Sequence, residues 1–417
     1  MRKHQRNLIL IFLYILEVII CFSDSVTTVL ASQSQDGGCG FLGQHIVAEL
    51  LNEKENPAKG TGNEPDVNKQ MIFKDIKVLD VKSFNKDLLT GQRQDAETVT
   101  YEVCDVRDFS DLKEHLKGHS VVINCAVVSP DFLKEDLGSG EHMHLVNVEG
   151  TRNIIKACQE TGVTALVHIS SLCVNMGGKR LIEHTESLSP EVSEDDLVLG
   201  DYARGRLKAE GMVLEASETA SANGTKLKTV ALRPPVLYGE GDSSFVPLIH
   251  KLAKAAGCKM PSIGNPAAFT QAAYAGNVAT ACICAIKHLL TDEGRSNLHT
   301  CNGLPVYVTD DTPPNNLVDL ASPFLGHTNI EPSAKDHYWT VTLSLYWNDL
   351  MNSIKAKIGL SGEGEEHALP TWALHQFAGT ITVVSRMRAE LCLGYAPPYS
   401  WEQALKRSNL YYSRCLN

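Results

Sequence analysis

Three glycines in Gly37-Gly38-Cys39-Gly40-Phe41-Leu42-Gly43, at positions 37, 40 and 43, constrain this chain more than any other stretch. Their spacing permits a tight turn, close approach of a pyrophosphate to the backbone, and tight packing of the helix that follows. Phe41, Ile46, Val47, Leu50 and Leu51 supply that helix with a buried side. Its N-terminus favours an anion, because the first N–H groups lack partners and the dipole is positive there. A glycine triplet alone also fits a plain loop, so the rest of the chain must decide.

The strand that ends at such a turn is central and covered on both faces, yet Ser32-Gln33-Ser34-Gln35-Asp36 holds no apolar residue. Two readings are open. Either residues 26–31 form the strand, with a polar bulge before the turn, or the sheet lacks its middle.

Downstream, Ile76-Lys77-Val78-Leu79-Asp80 reads as a strand ending in an acid, after a polar insertion at 56–70. An acid there accepts both ribose hydroxyls of adenosine and repels a 2′-phosphate, which favours NAD over NADP. Val99, Tyr101 and Val103 alternate into Cys104-Asp105-Val106, where Asp105 is a candidate for the adenine amino group. Residues 121–126 are apolar apart from Asn124, and 144–161 read as a helix. Residues 166–171 form a strand ending in Ser170 and Ser171, and 229–233 form one stopped by Pro234-Pro235. Residues 306–308 add another. This alternation predicts an α/β fold, a Rossmann-type doubly wound parallel sheet with a smaller C-terminal substrate-binding part. Ligands bind such sheets at the strands' C-terminal ends, where Gly37, Asp80, Ser171 and Pro234 fall.

The stretch from Asp201 to Glu210 carries the chemistry. Tyr202 and Arg206, four apart, share one helix face. A fixed cation favours the phenolate and lowers the Tyr pKa, giving a proton donor and acceptor. The plain alternative is an exposed Tyr on a charged surface helix.

At 417 residues the chain has ample core, and its net charge of -11 argues against a nucleic-acid partner. Twelve cysteines without metal-ligand spacing, several inside apolar runs, favour buried thiols in a reducing environment. The N-terminus stands apart: Arg2, Lys3 and Arg6 precede an apolar run at 8–22 broken by Glu17, and Val29-Leu30-Ala31 offers a cleavage site. Residues 1–31 are therefore read as a signal peptide or a membrane anchor. That places the protein at the endoplasmic reticulum, in its membrane or lumen, with the cytoplasm as the alternative. Asn223-Gly224-Thr225 is a glycosylation sequon.

Taken in order, the chain resembles the extended short-chain dehydrogenase/reductases, and within them the 3β-hydroxysteroid dehydrogenase/isomerase family. The likeness is carried by the glycine turn, Val78-Leu79-Asp80, Asn147-Val148-Glu149-Gly150-Thr151, Ser170-Ser171 and the Tyr202 helix. It continues through Leu232-Arg233-Pro234-Pro235-Val236-Leu237-Tyr238-Gly239, Tyr274-Ala275-Gly276-Asn277 and Thr309-Asp310-Asp311-Thr312-Pro313. The resemblance implies an NAD-binding core at about 37–235 and a substrate part mainly at 236–417. It implies Tyr202 as catalytic acid/base, Ser171 rather than Ser170 as the hydroxyl on the substrate oxygen, and Asn147 as the residue ordering a relay water. The cofactor would be held by Gly37, Gly40, Phe41, Leu42, Gly43, Asp80, Asp105, Val106, Ala126, Tyr202, Arg206 and Pro234. Arg206 stands where the family carries Lys. It keeps the charge but cannot release a proton to a relay, so slower turnover is expected.

The implied reaction is NAD-dependent oxidation of a secondary alcohol, a sterol or steroid 3β-hydroxyl, to a ketone. The alternatives are a nucleotide-sugar epimerase or reductase on the same scaffold and a non-catalytic NAD-binding relative. Residues 245–249 and 339–350 are candidates for the wall of a lipid pocket, with plain core as their alternative.

Overall fold

The computed structural model describes residues 25–31, 40–55, 72–81, 99–133, 140–177, 179–222, 224–291, 300–332, 342, 343, 347 and 371–416. Seven apolar, β-branched stretches form strands: β1 (Ser25–Ala31), β2 (Ile72–Asp80), β3 (Val99–Val103), β4 (Val121–Asn124), β5 (Ala165–Ile169), β6 (Lys228–Arg233) and β7 (Leu304–Tyr307). Their order in space is β3-β2-β1-β4-β5-β6-β7, every pair parallel. This is the order of a doubly wound dinucleotide-binding sheet, with its switch point between β1 and β4.

Of the two readings for the first strand, the structure has the former. β1 pairs with β2 from Ser25↔Ile72 to Ala31↔Leu79 and with β4 from Thr28↔Val121 to Ala31↔Asn124. The segment 1–31 thus gives its last seven residues to the middle of the sheet. Residues 8–22, 32–36, Gly37, 56–70 and Asn223 lie outside the described residues. Among the described residues no helix is long and apolar enough to cross a membrane.

One face of the sheet is covered by α1 (Phe41–Glu55) and, from far along the chain, by the long helix at Ala275–Thr291. Val121, Ile123, Val167, Val230 and Leu232 meet Ile46, Val47 and Leu50 from α1 in one apolar core. The other face carries α2 (Phe109–Leu116), α3 (Thr151–Thr161) and α4 (Gly200–Glu215). Helix α3 is entered through Gly140–His144 and a π-helical turn, Leu145–Gly150. A Cβ on Gly150 would stand 2.6 Å from Val106 Cγ2, so only glycine lets this turn approach the end of β3.

A second core is built from α5 (Val246–Ala255), Leu317–Ala321, α7 (Trp372–Ala378) and α8 (Trp401–Cys415), where α6 denotes Ala275–Thr291. Phe324 joins it, with ring centroids 4.9 Å from Tyr238 and 5.3 Å from Tyr412. The division at residue 235 is not a clean cut: α6 and β7 return to the sheet, so the two parts interleave.

Candidate active site

The C-terminal end of β5 is held to β6 beyond the last strand residue. Ser170 N donates to Leu232 O (2.7 Å) and Leu172 N to Pro234 O (2.9 Å). Ser171, between them, has extended backbone and caps the 3₁₀ turn Leu172–Asn175, its Oγ accepting from Cys173 N at 3.2 Å. The Ser171 hydroxyl also lies beside the Cys173 thiol, whose pKa burial raises and a hydrogen bond between the two lowers in part. Ser170 is committed elsewhere, donating to Glu210 Oε2 at 2.5 Å. Both serines line the cavity described below, but the Ser170 hydroxyl is engaged by Glu210.

Helix α4 buries Ala203, Ala209 and Val213 and turns Tyr202 and Arg206 toward the end of β5. Arg206 is only 3% exposed. One terminal nitrogen donates to Ile169 O, while its Nε makes no hydrogen bond among the described residues. Burial pushes the Tyr202 hydroxyl up to about 12, against the opposing pull of Arg206. This corrects the expectation of a depressed phenol: desolvating a phenolate costs more here than one neighbouring cation returns.

Tyr202, Ser171 and Arg206 line one cavity of about 590 Å³ together with Gly40, Phe41, Leu42, Gly43 and Pro234. Gly40 has φ +57°, a left-handed conformation that suits glycine, and α1 starts at the next residue. The first helical bond is Gln44 N to Gly40 O (3.4 Å), so the N–H groups of Phe41, Leu42 and Gly43 precede it. Such donors at the mouth of a cavity fit a diphosphate, and the orphaned, buried Arg206 Nε fits a sugar hydroxyl. These residues suit a dinucleotide.

The rest of the lining is mainly apolar, with Ser129, Asp131, Ser243, Ser244, Lys251 and Thr270 as its polar members. Phe245, Pro247, Leu248 and Ile249 line the cavity, and Phe245, Val246 and Ile249 also pack in the second core, so both readings of this stretch hold in part. Phe132 and Phe377, both in its lining, form a stacked pair with centroids 6.0 Å apart. The stretch 339–350 behaves differently: Leu343 and Trp347, its described apolar residues, are 60% and 64% exposed and do not line it.

The other candidates stand apart from this cavity. Asn147 lies within the π-helical turn, where Oδ1 accepts from Val128 N (2.8 Å) and Nδ2 donates to Val128 O (3.1 Å). Its side chain therefore fixes the loop after β4 rather than facing the cavity. Asp80 closes β2, 3% exposed, its carbonyl accepting from Cys104 N at 3.0 Å. The Asp105 carboxylate, offered above to adenine, is taken by Arg107, whose Nε lies 2.9 and 3.0 Å from its oxygens. Burial raises the Asp105 carboxyl, but the Arg107 hydrogen bonds outweigh that and hold it below its usual range. Val106 packs against Gly150, and Ala126 N donates to Asn124 Oδ1.

Sequence reasoning passed over the residues beneath α4. Asn124 Nδ2 meets His168 Nδ1 (3.1 Å) and Thr151 Oγ1 (3.2 Å), and Thr151 Oγ1 in turn donates to Asn147 O (2.8 Å). Burial, then Arg206, holds His168 well below its usual value, so the imidazole is neutral. Glu210 and Arg233 form a buried ion pair. The available signal was polar residues interrupting otherwise apolar strands.

Fold and cavity define a Rossmann-type sheet with a site suited to a dinucleotide. The model of the 3-beta hydroxysteroid dehydrogenase/isomerase family matches residues 65–338, more than half of the chain, and the chain belongs to that family. It is 29% identical over 379 residues to mouse 3 beta-hydroxysteroid dehydrogenase type 7, covering 89% of this chain and 93% of the relative. It is 30% identical over 281 residues to the sterol-4-alpha-carboxylate 3-dehydrogenase, decarboxylating, of Saccharomyces cerevisiae, covering 66% and 70%. Among solved structures, MoeE5 with UDP-glucuronic acid and NAD matches with a TM-score of 0.60 at 17% identity, covering 93% of this chain and 99% of that one. The UDP-glucose 4-epimerase of Thermus thermophilus with NAD gives 0.56 at 17% identity, covering 92% and 98%. At such identities these structures establish the fold.

Proposed function

We propose that the chain is an NAD-dependent dehydrogenase that oxidises the 3β-hydroxyl of a sterol or steroid to the ketone. The observation that carries this reading is the meeting, in one cavity, of the α1 N-terminus, the Tyr202–Ser171–Arg206 group and an apolar chamber. Bound NAD supplies the hydride acceptor. The chain's own residues do the rest. Tyr202 takes the proton from the substrate hydroxyl and returns it in the reverse direction. Ser171 donates to the substrate oxygen and holds it beside that phenol. Arg206 offers its free Nε to the nicotinamide ribose and biases Tyr202 toward the phenolate. The apolar walls exclude water and suit a rigid hydrocarbon frame.

Asp80 at the end of β2 supports NAD over NADP, since a buried carboxylate repels a 2′-phosphate. Among the described lining residues, Arg206 and Lys251 are the arginine and lysine side chains, fewer than a diphosphate in the substrate chamber would favour. The apolar run 8–22 would attach the protein to a membrane, with any processing confined to the chain before β1.

The test is turnover by the full chain of 3β-hydroxysterols with NAD, followed by absorbance of the reduced dinucleotide. Steady reduction with a 3β-hydroxysterol, and none with UDP-hexoses, is the expected result. Binding of NAD without oxidation of any 3β-hydroxysterol would overturn it.

A further inference from the structure

Tyr202, Arg206 and Glu210 follow one another at four-residue intervals along α4 and so share a face. The first two line the cavity; Glu210 is turned into the protein, 2% exposed. Its Oε2 accepts from Ser170 Oγ (2.5 Å) and Arg233 Nε (2.8 Å), and its Oε1 accepts from a terminal nitrogen of Arg233. The other terminal nitrogen of Arg233 donates to Asn175 Oδ1 at 2.6 Å. Ser170 immediately precedes Ser171, and Asn175 closes the 3₁₀ turn that Ser171 caps. The pair therefore grips the chain on both sides of Ser171, and it does so from the helix that carries Tyr202.

We propose that Glu210 and Arg233 are positioning residues for the reaction, setting the Ser171 hydroxyl in register with the Tyr202 phenol; this rests on the dehydrogenase reading above. Three elements carry the reacting groups or their supports: the end of β5, the end of β6 and helix α4. Apolar contacts hold such elements together but leave them free to slide by fractions of an ångström. A bidentate guanidinium–carboxylate pair fixes direction as well as distance. Stability alone does not account for it, because desolvating a buried pair roughly cancels its attraction, and an apolar replacement is often neutral. Arg206 adds a further grip on the same strand end through Ile169 O.

The experiment compares Glu210→Gln in the wild-type background and in a Ser171→Ala background. Glutamine keeps the shape and removes the charge that orders Arg233. If Glu210 acts by placing Ser171, kcat should fall about 100-fold in the first background and less than about 3-fold in the second. NAD affinity, read by fluorescence titration, should stay within about 2-fold in both, since the α1 end of the cavity is untouched. Equal losses of kcat in the two backgrounds, or no loss in either, would overturn the positioning role. Should Glu210→Gln fail to fold, Ser170→Ala removes one link and keeps the ion pair; the expected loss is about 10-fold, again absent without Ser171. A wild-type chain that oxidises no 3β-hydroxysterol sinks the underlying reading instead, whereas an active wild type with equal losses sinks positioning alone.

Discussion

The two faces of the central sheet are built on opposite terms. Under α1 and α6, successive inward residues of β4, β5 and β6 are hydrocarbon throughout: Val121 and Ile123, Ala165, Val167 and Ile169, Val230 and Leu232. Under α3 and α4, β6 carries the buried Thr229 near its start, while β4 and β5 start apolar, with Val122 and Leu166, and turn polar toward their C-terminal ends. There Asn124, His168, Ser170 and Arg233 are buried, with Arg206 and Glu210 facing them from α4. Burying such groups gains little net stability even when they are paired. A sheet that needed only to fold would resemble its first face on both sides. Thr229 apart, the polar seam gathers toward the end of the sheet where Tyr202 stands, as the proposed site would require. One face holds the sheet together; the other fixes where two hydroxyls meet.

Removing the strand that both faces share should have the largest effect. A chain beginning at Ser32 loses β1, splits β2 from β4, and should give no cooperative thermal transition; a normal melt would contradict the central place of Ser25–Ala31. Next comes the seam side of the site. Tyr202→Phe should lower kcat by about 10²–10⁴ while NAD titration and melting temperature stay near wild type. Retained turnover would remove Tyr202 from the chemistry. Smaller again, and of the opposite kind, is Ile283→Ala on α6, in the apolar core. It should cost about 2–5 kcal/mol of stability in denaturant titration, with kcat below the melt unchanged. If Ile283→Ala slowed catalysis and Tyr202→Phe only destabilised, the division between the faces would be wrong.

Much of this was legible in the sequence, because the fold writes itself in apolar runs. The strands at 121–124, 165–169 and 228–233 are covered on both faces and stand out as mainly apolar stretches with few polar residues. The glycine turn and the Tyr202 helix were readable for a related reason: a left-handed Gly40 and a four-residue interval are local facts. What was not local was not readable. Glu210 lies 40 positions from Ser170 and 23 from Arg233, and no period in the sequence joins them. The engagement of Asp105 by Arg107 was within reach of the sequence, two residues away. Whether burial or Arg206 would govern Tyr202 also depended on how deep the helix face lies, which residue spacing does not report.

That last balance yields the finest test of the seam. The Tyr202 phenol is raised to about 12 because burial opposes the phenolate more than Arg206 supports it. Alcohol oxidation needs the phenolate, which is scarce below that pKa and grows tenfold per pH unit. Oxidation, read as kcat/KM, should therefore climb about tenfold per unit through the neutral range. Ketone reduction needs the phenol, already fully populated there, and should stay flat across the same range. Arg206→Lys sharpens the comparison. The shorter side chain keeps the positive charge, gives up the guanidinium's grip on Ile169 O, and supplies an ammonium that can pass a proton on. Oxidation should rise by up to about tenfold, with its alkaline limb starting at lower pH, if proton release is what Arg206 slows. A fall in kcat with the pH profile unmoved would show the opposite: that holding the end of β5 matters more here than relaying a proton, and that the guanidinium belongs to the seam's geometry.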